Sequence, residues 1–178
     1  MFENIIKNVH NRHPLIHCIT NYVSINDCAN IVLACGGAPI MAEDINEVSQ
    51  ITSICQGLDI NIGMLNDNKL SSMLKAGATA NELGIPVILD PVGAGSSDYR
   101  IKAVQNLMSN VQFGVIRGNV SEIKAIAANQ GIHNISAGVY DTMQKDKSAM
   151  GVEAGIADKI TDDNIKEMAD FINKLSQK

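Results

Sequence analysis

Asp90 closes an apolar run, Pro86-Val87-Ile88-Leu89, and is followed by Pro91-Val92-Gly93-Ala94-Gly95. A carboxylate there can hold a hydrated Mg2+ beside substrate phosphates, and the glycines let a backbone approach a ligand. The same residues also make an ordinary turn. Arg117 closes a second run, Phe113-Gly114-Val115-Ile116. Its planar fork suits phosphate oxygens; a surface salt bridge is the plainer use. Asn119 and Glu122 stand three apart just beyond it. At a helix start that spacing can order a metal-bound water, and it is equally a capping pattern. Glu43-Asp44 is an adjacent acidic pair that also reads as a helix cap. His10, His13, His17 and His133 have no metal-ligand spacing. Cys18, Cys28, Cys35 and Cys55 fit no zinc template and read as reduced, buried thiols. Cys18 and Cys28 lie close enough to a polar stretch to leave room for ligand contact. No Ser/His/Asp or Cys/His set has supporting context, and no G-x-x-x-x-G-K-[ST] occurs.

These residues need elements to place them. Phe2, Ile5, Ile6 and Val9 mark a helical stripe that Pro14 ends. Strands are expected at 15–19, 38–41, 58–62, 86–90 and 113–117. Helices are expected at 22–35, 46–55, 66–83 and 98–108, and a further one runs to 129 from a start at Asn119 or Ser121. Gly36-Gly37 and Gly84 close two of them, since glycine tolerates the left-handed cap. Residues 130–160 read as loop-rich, and 161–175 as a last helix with acidic residues in its first turn. Strict strand–helix alternation implies an α/β fold with three layers: a mostly parallel sheet with helices on both faces. In such sheets ligands bind beyond the carboxyl ends of the strands. That rule selects Thr20-Asn21, Met41 to Asp44, Gly63 to Leu65, Asp90 to Gly95 and Arg117 to Glu122.

Composition agrees. The chain has 178 residues, 46% of them hydrophobic, which suits a single α/β domain over 1–178 with a packed core. A formal charge of −5 speaks against a nucleic-acid partner, which wants a basic face. The longest apolar run, Ile31 to Ala42, is twelve residues and broken by Gly36, Gly37 and Pro39, so no membrane partner is expected. The N-terminus lacks the pattern of a secretory signal, and the expected location is cytoplasmic. Aromatic residues are only six with no Trp, so Ala, Gly, Ile and Met carry the packing.

Five ordered segments carry a resemblance. They are Ile16 to Tyr22 (IHCITNY), Gly36 to Ala42 (GGAPIMA), Asn61-Ile62-Gly63, Asp90 to Gly95 with Tyr99-Arg100, and Ile116 to Glu122 (IRGNVSE). With the later Gly151-Val152-Glu153-Ala154, they closely resemble the hydroxyethylthiazole kinase family, which is ribokinase-like. The resemblance implies an enzyme that transfers phosphate from ATP to the hydroxyl of 4-methyl-5-(2-hydroxyethyl)thiazole, in thiamine synthesis or salvage. It implies a thiazole pocket of Asn21, Val23, Met41 and Gly63, with Gly63 reached from a neighbouring subunit. It implies Arg117 and Asn119 at ATP, Asp90 and Glu122 at Mg2+, and a homo-oligomer, by analogy a trimer. Such a reaction rests on positioning and charge neutralisation.

Family members are longer. Their later part carries nucleotide-binding strands and a Thr-Gly-x-Gly-Cys-type loop whose backbone N–H groups receive the transferring phosphate. Residues 130–178 hold no such loop. The expectation is therefore a chain with the substrate and metal-ordering sides of a kinase site and no assigned catalytic residue. It would be a fragment, one half of a split enzyme, or a degenerate homologue that binds thiazole or only assembles. A kinase of another small alcohol, such as a pyrimidine alcohol, is disfavoured by Asn21, Met41 and Gly36-Gly37-Ala38-Pro39.

Overall fold

The computed structural model describes residues 2–129, with side chains from 7 to 128. The expected loop-rich stretch 130–160 and the helix at 161–175 lie outside the described residues. Eleven elements follow in order: α1 (Phe2–Arg12), β1 (Leu15–Ile19), α2 (Ile25–Ala34), β2 (Ala38–Ile40), α3 (Val48–Ser53), β3 (Gly57–Asn61), α4 (Asp67–Glu82), β4 (Val87–Asp90), α5 (Asp98–Asn110), β5 (Val115–Ile116) and α6 (Val120–Asn129). The alternation is the one expected, with edges moved by up to three residues.

Local chemistry explains several edges. Asn66 and Ser97, in extended backbone, accept hydrogen bonds from the N–H groups of Lys69 and Arg100, so α4 and α5 begin just after them. The helix expected from Tyr22 begins only at Ile25. The Asn21 side chain accepts from both N–H and hydroxyl of Ser24, which turns the chain at 22–24 before the helix can start.

The five strands are all parallel, in the order β2-β1-β3-β4-β5. Register fixes the two faces. Leu58 pairs with Val87 and Ile60 with Leu89, and these point to one side. There they meet Met73, Ala76 and Ala80 of α4 and Val104 and Leu107 of α5, all buried in one core. Each fully buried Ile or Leu contributes about 1.5–3 kcal/mol. Helix α4 comes close because residue 77 is glycine: a Cβ there would lie 2.5 Å from Cγ2 of Val111.

The other face carries Asp59, Asn61, Ile88, Asp90 and Val115. Ile88 and Val115 are 39% and 43% exposed. The described residues thus place a helix layer over one face of β4 and leave the other face of β4 and β5 open. Helix α2 packs beside β2, yet none of its residues is buried, and Ile31 and Leu33 are 62% and 56% exposed. Among the described residues no helix is long and apolar enough to cross a membrane.

Candidate functional site at the carboxyl ends of the strands

Parallel pairing brings the carboxyl ends of β1, β3, β4 and β5 side by side. Asn21 follows β1, Gly63 follows β3, Asp90 ends β4, and Arg117 follows β5. A continuous hydrogen-bonded line joins them. The Asn21 amide donates to Oδ1 of Asn61 at 3.2 Å. Asn61 donates to Oδ2 of Asp90 at 3.0 Å. Arg117 donates to the same Oδ2 at 2.9 Å. Asn61 Oδ1 also accepts the Gly63 N–H at 2.8 Å. Only glycine fits at 63, because a Cβ would lie 2.9 Å from Asn61 Oδ1 and 3.0 Å from two Asn21 atoms.

Burial is the largest influence on Asp90 and raises its pKa. The Arg117 charge opposes that, the Glu122 charge adds to it, and the bonds from Asn61 and Arg117 oppose it. Asp59 lies one pleat below on the same face. Burial, with the Asp90 charge, pushes it up to about 6 against the opposing pull of Arg117. The Arg117 side chain is 79% exposed, so its far nitrogen faces solvent where an anion would approach.

Asn119 and Glu122 form a reciprocal cap. Glu122 Oε2 accepts the Asn119 N–H at 2.8 Å, and Asn119 Oδ1 accepts the Glu122 N–H at 3.0 Å. Glu122 Oε1 also accepts the Gly93 N–H at 2.8 Å, so the carboxylate ties α6 to the loop after Asp90. The cap is therefore bonded to the loop that follows β4. Asp90 and Glu122 converge on that loop, and no protein bond occupies Asp90 Oδ1 among those described. Two carboxylates with free lone pairs suit a cation that keeps most of its water. Among the described residues no three or more His, Cys, Asp or Glu side chains group as a metal cage.

A second feature adjoins this line. A cavity of about 160 Å³ is lined by Cys18, Thr20, Tyr22, Ile25, Met41, Ala42 and Glu43. Met41 is the expected pocket residue that lines it. Val23 does not; it is 88% exposed. Cys18 is buried, and burial pushes its thiol up to about 12, so it packs as a neutral thiol. All four cysteines are free; Cys18 and Cys55 are buried, Cys28 partly so, and Cys35 exposed.

Several residues with structural weight at the site had no role from sequence. Asn61 is the hub of the line. Arg100 donates to the carbonyls of Ile62, Gly63 and Val92 at 2.6–2.8 Å, locking the loop after β3 to the loop after β4. Lys69 reaches from α4 to Glu43, an ion pair of 2.8 Å. Glu43 therefore faces the cavity wall rather than capping a helix. Burial works against its charge, but the bonds from Lys69 and Tyr22 outweigh this and hold its pKa below the usual range. Its neighbour Asp44 makes the local turn, accepting from Asn46. One cue was available: a lysine on the otherwise small and apolar side of a helix, in register with Met73 and Ala76.

The hydroxyethylthiazole kinase family profile matches residues 6–162. The hydroxyethylthiazole kinase of Clostridium acetobutylicum is 51% identical over 178 residues, covering 100% of this chain and 59% of that protein. That of Methanobrevibacter smithii is 44% identical over 174 residues, 98% of this chain and 57% of that protein. The chain thus spans under three fifths of the length of these curated relatives. The solved structure of a hydroxyethylthiazole kinase protein from Pyrococcus horikoshii OT3 superposes with a TM-score of 0.70 at 40% identity, over 72% of this chain and 50% of that one. The parallel sheet, the line of polar side chains along its carboxyl ends, and these matches agree: the chain belongs to the hydroxyethylthiazole kinase family.

Proposed function

We propose that this chain supplies the substrate and metal-ordering sides of an ATP-dependent kinase acting on the hydroxyl of 4-methyl-5-(2-hydroxyethyl)thiazole, in thiamine synthesis or salvage. The observation that supports this most is the line Asn21–Asn61–Asp90–Arg117 beside a small, mainly apolar cavity. An apolar ring with few polar groups suits such a pocket. Met41 would line it, Asn21 and Gly63 would form its edge, and Arg117 and Asn119 would meet the phosphates of ATP. Asp90 and Glu122 would hold Mg2+, whose charge would offset that of the phosphates. Arg117 would exchange its bond to Asp90 for phosphate oxygens.

The same reading includes a homo-oligomer, a trimer by family analogy, in a cytoplasmic setting, with 1–178 as one α/β domain. Val23, 88% exposed in the turn before α2 and next to the cavity-lining Tyr22, gives an uncovered apolar face beside the cavity. Against a second copy, that face would be buried and Val23 would join the pocket. A second reading, a thiazole-binding or assembling subunit without catalysis of its own, needs only the cavity and its walls.

Titration calorimetry of the 178-residue chain with hydroxyethylthiazole, then with Mg-ATP, separates the two. Thiazole binding followed by formation of thiazole phosphate supports the kinase. Thiazole binding with no uptake of Mg-ATP supports the binding subunit. Absence of thiazole binding removes the kinase and the thiazole-binding subunit and leaves assembly alone.

A further inference from the structure

Arg100 is the third residue of α5, and the start of that helix is fixed from two sides. Ser97 accepts the Arg100 N–H, and the neighbouring Tyr99 donates to Asp67 Oδ1 in the first turn of α4 at 2.6 Å. From this base the half-buried guanidinium reaches both loops of the site. Nη1 donates to the Ile62 carbonyl at 2.6 Å and to the Val92 carbonyl at 2.8 Å. Nη2 donates to the Gly63 carbonyl at 2.7 Å.

The two carbonyls on Nη1 belong to the peptide units 62–63 and 92–93. In a trans peptide the N–H points away from the carbonyl. In both units that N–H meets a side chain of the site. The Gly63 N–H donates to Asn61 Oδ1 at 2.8 Å, and the Gly93 N–H donates to Glu122 Oε1 at 2.8 Å. Both side chains are tied further: Asn61 donates to Asp90, and Glu122 accepts the Asn119 N–H. One cationic nitrogen thus stands one peptide away from Asn61 and one peptide away from Glu122. A charge on the carbonyl end of a peptide polarises it and strengthens the bond that its N–H makes. Any backbone carbonyl of either loop would serve to tie the loops together. Here each peptide that Nη1 grips is the one that holds a side chain of the site.

We infer that Arg100 is a positioning residue that orients Asn61 and Glu122 together, through the peptides 62–63 and 92–93. The inference rests on the reading above for what Asn21, Gly63 and Glu122 bind, and adds the group that sets the thiazole edge and the metal carboxylate in one frame. Arg100 acts on both ligands through other groups. A lysine keeps the charge and lacks the planar fork, so it replaces only part of this function.

The test uses the 178-residue chain with Arg100→Met, Arg100→Lys, Glu122→Gln and the double variant Arg100→Met, Glu122→Gln. Amide hydrogen exchange of the ligand-free chain reads the two peptides directly. In Arg100→Met the Gly63 and Gly93 amides should exchange about tenfold faster, beyond any change at the Ile60 amide within β3. Arg100→Lys should show the same pattern at smaller size, and it carries the test if the methionine variant does not fold. In calorimetry with Mg-ATP, Arg100→Met should weaken binding about tenfold in the parent and less than about threefold beside Glu122→Gln, because one carboxylate carries the effect. Hydroxyethylthiazole should be weakened by the same factor in both backgrounds, because that route runs through Asn61. Additive losses for Mg-ATP, or glycine amides that change no more than the Ile60 amide, would overturn the inference. If Glu122→Gln binds Mg-ATP like the parent, the metal role of Glu122 falls. If neither ligand binds the parent, the kinase reading falls. In either case the two amides decide the positioning: both faster supports it, and either one unchanged overturns it.

Discussion

Asn61 donates to Asp90 across two adjacent strands, at 3.0 Å, from a position that is itself only 8% exposed. The other end of the same amide accepts from Asn21 and from the Gly63 backbone. One planar group thus sets the spacing between Asn21 and Asp90, the carboxylate proposed to hold Mg2+. Replacing it with alanine leaves three buried or half-buried groups without their partner. Asn61→Ala should cost about 1–3 kcal/mol of stability and weaken thiazole binding and Mg-ATP binding together. Urea unfolding with both titrations checks this. Loss of only one binding step would show that the hub is not shared.

Gly63 is hemmed in on the same side. Gly63→Ala forces its Cβ against Asn61 Oδ1 and the Asn21 side chain. Overpacking of this kind costs about 1–3 kcal/mol. The expected result is a lower melting midpoint with a further loss of thiazole affinity. An alanine variant that melts and binds like the parent would count against the close approach.

Arg117 behaves differently. Its side chain is 79% exposed and its ion pair with Asp90 faces water, so the pair contributes under about 1 kcal/mol to folding. Arg117→Ala should keep its melting midpoint and its thiazole affinity while Mg-ATP binding weakens by at least tenfold, in keeping with loss of a bidentate phosphate contact. Equal loss of both ligands would remove the assigned role.

Asp59 should work against folding at neutral pH. Its pKa in the folded chain is about 6, above the model-peptide 3.8, because burial and Asp90 disfavour its charge. The folded state therefore holds its proton longer than the unfolded state. The stability that this proton provides is full below about pH 4 and is lost as pH rises through 6. Asp59→Asn should be more stable than the parent at pH 7–8 and should flatten the stability profile between pH 4 and 6. Chemical denaturation at a series of pH values reads this directly; an unchanged profile would contradict the shift.

His17 has the opposite sign. It is fully buried, with Nε2 2.8 Å from the Ala42 carbonyl and Nδ1 2.9 Å from the Thr52 hydroxyl. Burial lowers its pKa below 6.5, and the Ala42 bond and the Glu47 charge only partly restore it. The unfolded chain takes up this proton first, so His17 contributes stability above about pH 6.5 that is lost as pH falls. Replacing it with glutamine should remove that part of the acid sensitivity. Ala42 lines the cavity, so the same variant should also weaken thiazole binding. Retained acid sensitivity between pH 6.5 and 5 in an Asp59→Asn, His17→Gln double variant would assign it elsewhere.

The order of elements was legible because each carries its own period. Leu58, Ile60 and Ile62 alternate, and Leu70, Met73, Gly77 and Ala80 recur at helical spacing. Those periods depend only on which face is buried. Asp90, Arg117 and the Asn119–Glu122 pair were also visible as candidates, since each ends or begins an element where parallel sheets bind ligands. Capping and site were alternatives at Glu122. The structure shows the cap, one oxygen closing it while the other holds the Gly93 N–H, and the metal role stands as a proposal.

Other features depend on who stands beside whom. Helix α2 has the apolar residues of a buried helix, yet Ile31 and Leu33 lie in the open; period marks a face but does not name what covers it. Asn61 reads as an ordinary polar residue at a strand end until the order β1-β3-β4 puts it between Asn21 and Asp90. Lys69 shares a helix side with Met73 and Ala76 in sequence, but only the packing of α4 carries it to Glu43 and to the Thr20 carbonyl, 49 residues away in sequence. Local periodicity determines the elements because it acts over neighbouring residues. Hydrogen-bond partners across strands are set by strand order and register, and those form only when the whole sheet buries its core.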